Sequence, residues 1–394
     1  MDASAAPRLF EWLDGRREAM VALVERLARI ESPSGDQAAL DDVRAALSDE
    51  LAKLDYDTRL LARAKGAATL YARPSHRHRG SAFQLLLGHC DTVWPRGTLA
   101  RMPVKADDAI VRGPGVFDMK AGLVQMIFAL AALRALELVP PATPVVLINA
   151  DEEVGSPAST PLIRRFAEHA ARAFVLEPAF DTDGKLKTAR KAVGRFTVVV
   201  RGKAAHAGIS PEQGASAILE LSHQVQQLFA LNDAARGITV NVGTIDGGLG
   251  ANVVAPEARA VADVRVRNQS DAEEIEQALR ALRPTMEGTE VEVEGRFGRP
   301  AMEANAQNQA LWRLAHGLGR QLGLELEQAA VGGASDGNTT SQYTATLDGL
   351  GGVGDGAHAP HEHTKVSAMV SRSALLAMLL LAPLADDARK SRQE

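Results

Sequence analysis

Cysteine is almost absent from this 394-residue sequence: Cys90 is the only one, and aromatic residues make up just 4% of the chain. A single cysteine excludes a disulfide within the chain, and it also excludes a cysteine-rich zinc site. Any metal ion would therefore be held by histidine, aspartate and glutamate side chains.

The sequence also lacks an excess of basic charge and long hydrophobic runs. The formal net charge is −5, so no basic field is available to hold nucleic acid or an anionic membrane. The N-terminus has no basic start followed by an apolar core, as a secretory signal would. The run LVQMIFALAALRAL is interrupted by Gln and Arg and is too short to span a membrane. We expect a cytoplasmic protein without nucleic-acid or membrane partners, although a secreted protein whose signal had been removed would look the same.

The chain is long enough for two domains. Apolar residues at helical spacing predict a helix over 8–31 and a second one at about 36–54. Four apolar runs, typical of strands covered on both faces, follow at 67–73, 83–88, 144–150 and 173–177. A strong helix is predicted at about 119–137, between the second and the third run. This alternation predicts an α/β domain with a central, mostly parallel sheet flanked by helices.

The pattern changes near residue 190 to the order β-α-β-β-α-β, which is typical of a small antiparallel sheet backed by two helices. Its elements are predicted at 196–202, about 212–231, 237–248, 258–267, 270–284 and 290–296. We therefore predict a catalytic domain formed by 1–190 and 301–394, with an α+β domain at 191–300 inserted into it.

Two motifs put candidate ligands at the edge of the predicted sheet. His89 and Asp91 end an apolar strand, where open α/β sheets bind ligands, and their spacing points both side chains the same way. A histidine oriented by a carboxylate is common at metal sites. A histidine and an aspartate that only hydrogen-bond to each other in a loop would give the same sequence pattern. Asp118 precedes the helix at about 119–137, where it would serve equally well as an N-cap.

Acidic residues follow two further strands. Asp151, Glu152 and Glu153 repel one another, so they need a cation or a proton to stay together unless they form an acidic surface turn. Adjacent carboxylates would allow one to bind metal while the other acts as a base. Glu177 is predicted to be the last residue of the next strand, where it could also be simply solvated.

Histidines are concentrated near the C-terminus and in one loop of the inserted domain. The residue chemistry alone does not choose among His358, His361 and His363 as a ligand. His206, in Gly-Lys-Ala-Ala-His-Ala-Gly, is either a surface histidine or a residue that reaches the active site. The Gly-x-Gly-x-x-Gly match at 349–354 is not followed by a helix, so we do not interpret it as a nucleotide site.

Taken in order, GHCDTV, GPGVFDMK, NADEEVGS, LEP, GKAAHAG and GAHAPHEH resemble the motif series of the M20 family of metallopeptidases over nearly the whole chain. Within that family the sequence is most similar to the bacterial glutamate carboxypeptidases. The resemblance implies a zinc-peptidase-type catalytic domain with an inserted lid and dimerisation domain, and a homodimer. It also implies two divalent cations, Zn²⁺ in the first place, with Co²⁺ and Mn²⁺ as alternatives.

The resemblance also implies a set of metal ligands. His89 and Glu177 would bind one ion, and Glu153 and His358 would bind the other. Asp118 would bridge the two ions and would be followed by a cis peptide bond.

Catalytic and substrate-binding roles are implied in the same way. Glu152 would be the general base and acid, Asp91 would orient His89, and His206 would polarise the substrate carbonyl. The residues that resemble substrate-binding positions are Asn252 at the scissile group, Arg265, Arg299 at the substrate α-carboxylate, and Lys185 near the glutamate end.

The implied reaction is hydrolysis of the amide bond to a C-terminal glutamate or aspartate in N-acyl or peptidyl substrates. The alternative is an N-acyl-amino-acid deacylase or dipeptidase without acidic preference. The sequence departs from the glutamate enzymes at two places, because the loop at 332–337 is one residue longer and Met119 replaces a second acid.

Overall fold

The computed structural model describes residues 5–61, 67–77 and 80–384, so the two ends of the predicted catalytic domain, 1–4 and 385–394, lie outside the described residues. The chain divides into two compact units. Unit 1 consists of Met1–Thr188, Ala304–Ala330 and Ser335–Glu394, and unit 2 consists of Ala189–Glu303 and Val331–Ala334.

The α-helices of the described ranges, in chain order, are α1 (Ala5–Asp14), α2 (Arg17–Ala28), α3 (Gln37–Ala52), α4 (Ala121–Ala135), α5 (Thr160–Ala167), α6 (Ala217–Ala230), α7 (Gln269–Arg280), α8 (Ala306–Gln321), α9 (Gly337–Thr340) and α10 (Val366–Leu381). The strands are β1 (Tyr56–Leu61), β2 (Thr69–Pro74), β3 (Phe83–His89), β4 (Lys105–Ala106), β5 (Ile110–Arg112), β6 (Thr143–Asn149), β7 (Ala173–Val175), β8 (Leu186–Arg190), β9 (Ala192–Arg201), β10 (Thr239–Gly247), β11 (Glu257–Val266), β12 (Glu290–Arg299), β13 (Gln328–Val331), β14 (Thr346–Leu347), β15 (Gly354–Asp355) and β16 (His363–Lys365).

Unit 1 is built on a sheet with the strand order β1-β2-β6-β3-β7-β14. Strands β6, β3, β7 and β14 run parallel, whereas β1 and β2 form an antiparallel edge. Alternate residues of β3 enter different cores: Leu86 packs into the cluster that includes α4 and α10, and Leu85 and Leu87 pack with Ile163 of α5. Helices therefore cover both faces, which confirms the predicted fold class.

The strand register of this sheet decides where the chemistry lies. His89 is level with Asn149 across β3 and β6, and Leu87 is level with Val175 across β3 and β7. The residues that follow β6 and β7 therefore leave the sheet at the same edge as His89.

The structure corrects three sequence predictions. The helix predicted over 8–31 is two helices, because the chain breaks at Gly15 and Arg16, where Arg16 has φ −125° and ψ 14°; glycine is a poor residue for a helix interior. Strand β7 ends at Val175, so Glu177 lies two residues beyond it. Asp118 is not an N-cap, because α4 begins at Ala121 after an irregular turn over Val116–Lys120.

The most apolar helical stretch, Val116–Ala135, is long and apolar enough to cross a membrane, but 83% of its most apolar window is buried inside the protein. This burial identifies it as a core helix, and it packs against α10, α1 and α2.

Unit 2 contains an antiparallel sheet with the order β10-β11-β9-β12, so the predicted β-α-β-β-α-β arrangement is confirmed. One face is apolar: Phe196, Val198 and Val200 of β9 join residues of α6 and α7 in the core of this unit. The other face carries polar side chains. Arg265 and Arg299 both lie opposite Val193, on either side of β9, so they leave this polar face at the same level.

Candidate metal centre

Histidine and carboxylate groups converge at the edge of the unit 1 sheet. The Nε2 atom of His89 lies 3.3 Å from Oδ1 of Asp118 and 3.6 Å from Oε1 of Glu177. The Nε2 atom of His358 lies 3.1 Å from Oε2 of Glu153 and 3.5 Å from Oδ2 of Asp118. The two oxygens of Asp118 therefore face the two histidines, and the peptide bond after Asp118 is cis.

Asp91 fixes the orientation of His89. Nδ1 of His89 lies 3.0 Å from the backbone oxygen of Asp91, and because a carbonyl oxygen can only accept, Nδ1 carries the proton. When a cation takes the place of the second ring proton, the ring presents an unprotonated Nε2 beside Asp118 and Glu177, which is the tautomer that a metal ligand needs.

The side chain of Asp91 also holds the acidic turn that follows β6. It is fully buried, and it accepts hydrogen bonds from the backbone N–H groups of Glu152 and Glu153, both at 3.2 Å, and from the Ser34 hydroxyl at 2.7 Å. Burial by itself raises the pKa of Asp91, but the hydrogen bonds from His89, Ser34 and this backbone outweigh burial and lower it. Asp91 is therefore an anion that ties His89 to the acidic turn.

The three consecutive acids have different environments. Asp151 turns away from the cluster and accepts hydrogen bonds from the backbone N–H groups of Ala158 and Ser159, at 2.7 and 3.1 Å. Glu152 turns towards it, and one of its oxygens lies within 4.8 Å of the ligand atoms of both His89 and Glu177. A division of labour between Glu152 and Glu153 is thus geometrically available.

The carboxylates give the cluster a strong affinity for positive charge. Hydrogen bonds to Asp118 and Glu153 raise the pKa of His358 to about 10. Burial alone would lower the pKa of His89, but its hydrogen bonds to Asp118 and Asp91 raise it well above the usual value. The pKa of Asp118 is lowered, because its bonds to both histidines outweigh its burial.

The donor set fits two divalent cations. Oε1 of Glu153 is buried and has no hydrogen-bond partner among the described residues, which is costly unless a cation satisfies it. The cluster offers only imidazole nitrogens and carboxylate oxygens, and these donors suit Zn²⁺, Co²⁺ or Mn²⁺. His89 with Asp118 and Glu177, and His358 with Asp118 and Glu153, would hold the ions.

The structure distinguishes the three C-terminal histidines, which residue chemistry could not. His358 has a left-handed backbone conformation, with φ 61°, and contacts Asp118 and Glu153. His361 instead lies 3.8 Å from Asp355, and Nδ1 of His363 lies 3.0 Å from the backbone oxygen of His361. Among these three, His358 is the one that contacts the metal-ligand cluster in the described part of the chain.

Gly351, one of the glycines at 349–354, allows this segment to pack closely against the backbone of Leu176 and Glu177. The backbone N–H of Gly351 donates to the backbone oxygen of Glu177 at 2.9 Å. A Cβ atom on Gly351 would lie 2.2 Å from the oxygen of Leu176, so no larger residue fits there. These glycines support the strand extension that carries Glu177, and no helix follows them directly.

His206 and Asn252, predicted to act at the scissile carbonyl, lie side by side in unit 2. The backbone N–H of Ala207 donates to the oxygen of Asn252 at 3.0 Å, next to a bridge between His206 and Val253. Nδ1 of His206 accepts from the backbone N–H of Gly208 at 3.1 Å. The neutral His206 ring therefore carries its proton on Nε2, where it can act as a hydrogen-bond donor.

The two arginines of unit 2 differ in what surrounds them. Arg299 is buried at the end of β12. Arg265 donates from Nε to Asp263 at 2.8 Å and from Nη1 to the backbone oxygen of Gly332 at 3.0 Å. Arg265 thus supports the loop at 332–337, a role that its sequence position did not suggest.

Lys185 lies in unit 1 and forms an ion pair with Glu327 at 3.0 Å. This pair raises the pKa of Lys185, and it occupies the ammonium group that the sequence prediction assigned to substrate. Its role at the substrate remains a prediction.

Sequence reasoning missed two supporting residues, Ser34 and Glu362. Ser34 lies in the turn between α2 and α3, and its bond to Asp91 joins segments 57 residues apart. Glu362 lies between two histidines in a polar loop and is nevertheless 1% exposed. A polar segment carries no periodic signal for a buried acid, so neither residue could be found from the pattern.

The fold and this donor cluster define a metallopeptidase. The family model for peptidase family M20/M25/M40 matches residues 85–382, and the chain belongs to this family, as its motifs predicted. It is 28% identical over 381 residues to carboxypeptidase G2 of Pseudomonas sp. (strain RS-16), an alignment covering 95% of this chain and 91% of the relative. The chain is therefore a metallo-exopeptidase related to carboxypeptidase G2.

Solved structures share the fold. Aminopeptidase PepT from Bacillus cereus superposes with a TM-score of 0.78 at 21% identity, covering 92% of this chain and 98% of that one. The YXEP protein of Bacillus subtilis, described as a dinuclear metal binding peptidase from the M20 family, superposes with a TM-score of 0.68 at 13% identity, covering 93% and 98%.

Exchange of His358 for alanine tests the ligand assignment. We expect His358→Ala to retain one zinc ion per chain where the wild type retains two, because His358 contacts both Glu153 and Asp118. His361→Ala is the matched control and should retain two. Metal content after dialysis, measured by mass spectrometry, decides; equal zinc contents in the two variants would contradict the assignment.

Proposed function

We propose that the protein is a di-zinc hydrolase that cleaves the amide bond to a C-terminal glutamate or aspartate in N-acyl or peptidyl substrates. The observation that carries the metal chemistry is the placement of Asp118, whose two carboxylate oxygens face His89 on one side and His358 on the other. The relation to carboxypeptidase G2 over most of the chain supports the carboxypeptidase reaction.

Glu152 is proposed as the group that moves the proton. Two bound cations would lower the pKa of a water molecule and offset negative charge that develops on the substrate. Glu152 follows the buried strand β6, its backbone is held by Asp91, and its carboxylate borders the cluster. It would take a proton from the attacking water and return it to the leaving nitrogen.

His206 is proposed to stabilise the carbonyl oxygen of the scissile amide. The bond from Gly208 to Nδ1 leaves Nε2–H as the ring donor, and a donor aimed at a developing oxyanion lowers the barrier. Asn252, beside His206 in the same unit, is proposed to contact the scissile group.

Arg299 is proposed to bind the α-carboxylate of the released amino acid. A guanidinium group matches a carboxylate with two parallel hydrogen bonds. Arg265 leaves the same face of the unit 2 sheet at the same level, where its guanidinium is paired with Asp263.

An N-acyl-amino-acid deacylase or dipeptidase without acidic preference is the second candidate function. The ion pair of Lys185 with Glu327 favours it, because the ammonium group that would select an acidic side chain is already paired with a carboxylate. The metal chemistry is the same in both functions, so only the preference for the C-terminal residue separates them.

We also propose that two copies associate through unit 2. Strand β10 is an edge of its sheet, and unpaired strand edges favour pairing with another chain. Large apolar side chains are exposed on and beside β10 and α6, namely Ile218, Leu219, Phe229, Ile245 and Leu249. A second copy of this edge and helix would cover them.

Removal of the Glu152 carboxylate should separate chemistry from metal binding. We expect Glu152→Ala to keep two ions and the wild-type circular dichroism spectrum, and to lower kcat by roughly 10²–10⁴-fold, the usual contribution of a general base. A variant with near-wild-type kcat would rule out the proposed proton transfer.

For His206→Ala we expect kcat to fall about 10²–10³-fold, as for the loss of one oxyanion donor, with metal content unchanged. His223→Ala, at a half-buried histidine of α6 in the same unit, is the control and should keep the wild-type kcat. Loss of metal from His206→Ala would point to a different role.

Arg299→Ala should raise KM for N-acyl-glutamate by about 10–100-fold, the size expected for loss of a charge-assisted hydrogen bond. Its effect on the corresponding glutamate α-amide should be small, because that substrate has no α-carboxylate. Similar losses on both substrates would contradict the proposed contact.

Sedimentation velocity at micromolar concentration should show a dimer for the wild type. We expect Phe229→Glu to shift the protein to monomer, because it places a charge in the proposed contact. The control Val139→Glu replaces an exposed valine of unit 1 and should remain dimeric. A monomeric wild type, or a dimer unaffected by Phe229→Glu, would contradict this contact.

A further inference from the structure

A buried carboxylate lies behind the metal cluster, in the loop that carries His358. Oε1 of Glu362 accepts hydrogen bonds from the backbone N–H groups of Phe117 and Asp118, both at 3.0 Å. Oε2 accepts from the backbone N–H of Gly115 at 2.9 Å and from the indole N–H of Trp94 at 2.8 Å. We refer to Glu362 and these four donors as the Glu362 brace.

The brace holds a backbone segment that departs from α-helical geometry. Gly115 has φ 70°, and Asp118 has φ −112° and ψ 94°, and the N–H of Lys120 reaches back to the oxygen of Gly115 at 3.0 Å, five residues earlier, rather than making an α-helical bond. Buried backbone N–H groups require partners, and here a single side chain supplies three of them. The position of the Asp118 carboxylate therefore depends on Glu362.

The brace also joins this turn to the loop of His358. Ala359 donates its N–H to the oxygen of Gly356 at 2.8 Å, and Glu362 donates its N–H to the oxygen of Ala359 at 3.0 Å. His358 thus lies within a tight, hydrogen-bonded loop whose end is Glu362. Through its backbone and its side chain, Glu362 fixes the two segments that bring Asp118 and His358 within 3.5 Å of each other.

We propose that Glu362 is a positioning residue for the metal pair, and that the Trp94 indole orients its carboxylate. Glu362 contacts the backbone rather than the ligand atoms, so it acts by setting the distance between Asp118 and His358. The inference rests on the metal pair of the proposed function but not on the substrate, because it concerns ion affinity alone.

The test is a Co²⁺ titration of the full-length, chelator-treated protein, followed by calorimetry and by the visible absorption spectrum of bound cobalt. Glu362→Gln cannot accept from all four donors, because its amide nitrogen would face N–H groups. We expect it to weaken binding of the second ion by about 10–100-fold, as substitutions behind metal ligands do, and to change the cobalt spectrum. Asp355→Asn removes the same charge from an exposed position of the same loop and should leave both unchanged.

A lower melting temperature of metal-free Glu362→Gln with wild-type ion affinity and cobalt spectrum would show a purely structural role and overturn the proposal. If Glu362→Gln does not fold, Trp94→Phe decides, since it keeps all three backbone donors and removes only the indole N–H. We expect a smaller loss of second-ion affinity, about 3–10-fold; wild-type affinity would overturn the proposal. A wild type that binds no cobalt would instead refute the proposed function.

Discussion

Repulsion among carboxylates at one edge of a buried sheet is the constraint on which this structure depends. Asp118, Glu153 and Glu177 contact two histidines, and Glu152 borders them. Like charges this close are stable only with positive charge between them. The cluster therefore requires a scaffold and positive charge, and the parallel strands supply the scaffold by delivering three of its segments to one edge.

The scaffold itself is made of hydrogen bonds from groups that do not face the substrate. Asp91 ties the ring of His89 to the backbone of the acidic turn, and Glu362 ties the turn of Asp118 to the loop of His358. Both are buried carboxylates that accept several N–H groups, a strong form of hydrogen bond. Each one joins segments far apart in sequence, so ligand positions from four parts of the chain become a single rigid arrangement.

The sequence was sufficient for the layers of the fold, because apolar runs and helical spacing record burial directly. It also indicated where histidine and carboxylate groups would converge, because His89 and the acids after β6 and β7 follow apolar strands. It failed where local pattern does not report tertiary contact. Glu177 lies beyond its strand rather than at its end, and Asp151 caps a turn beside two cluster residues. Residue chemistry left His358, His361 and His363 equal, and His358 was chosen through the family resemblance. Glu362 was missed because a polar loop gives no sign that one of its acids is buried.

Amide hydrolysis is proposed to depend on two divalent cations held by this cluster. The most direct test is to remove metal with a chelator and add Zn²⁺ back in increments, while bound zinc and hydrolysis of N-acyl-glutamate are measured together. We expect no hydrolysis in the metal-free protein and full hydrolysis once two zinc ions per chain are bound. Full hydrolysis in the metal-free protein would contradict this dependence.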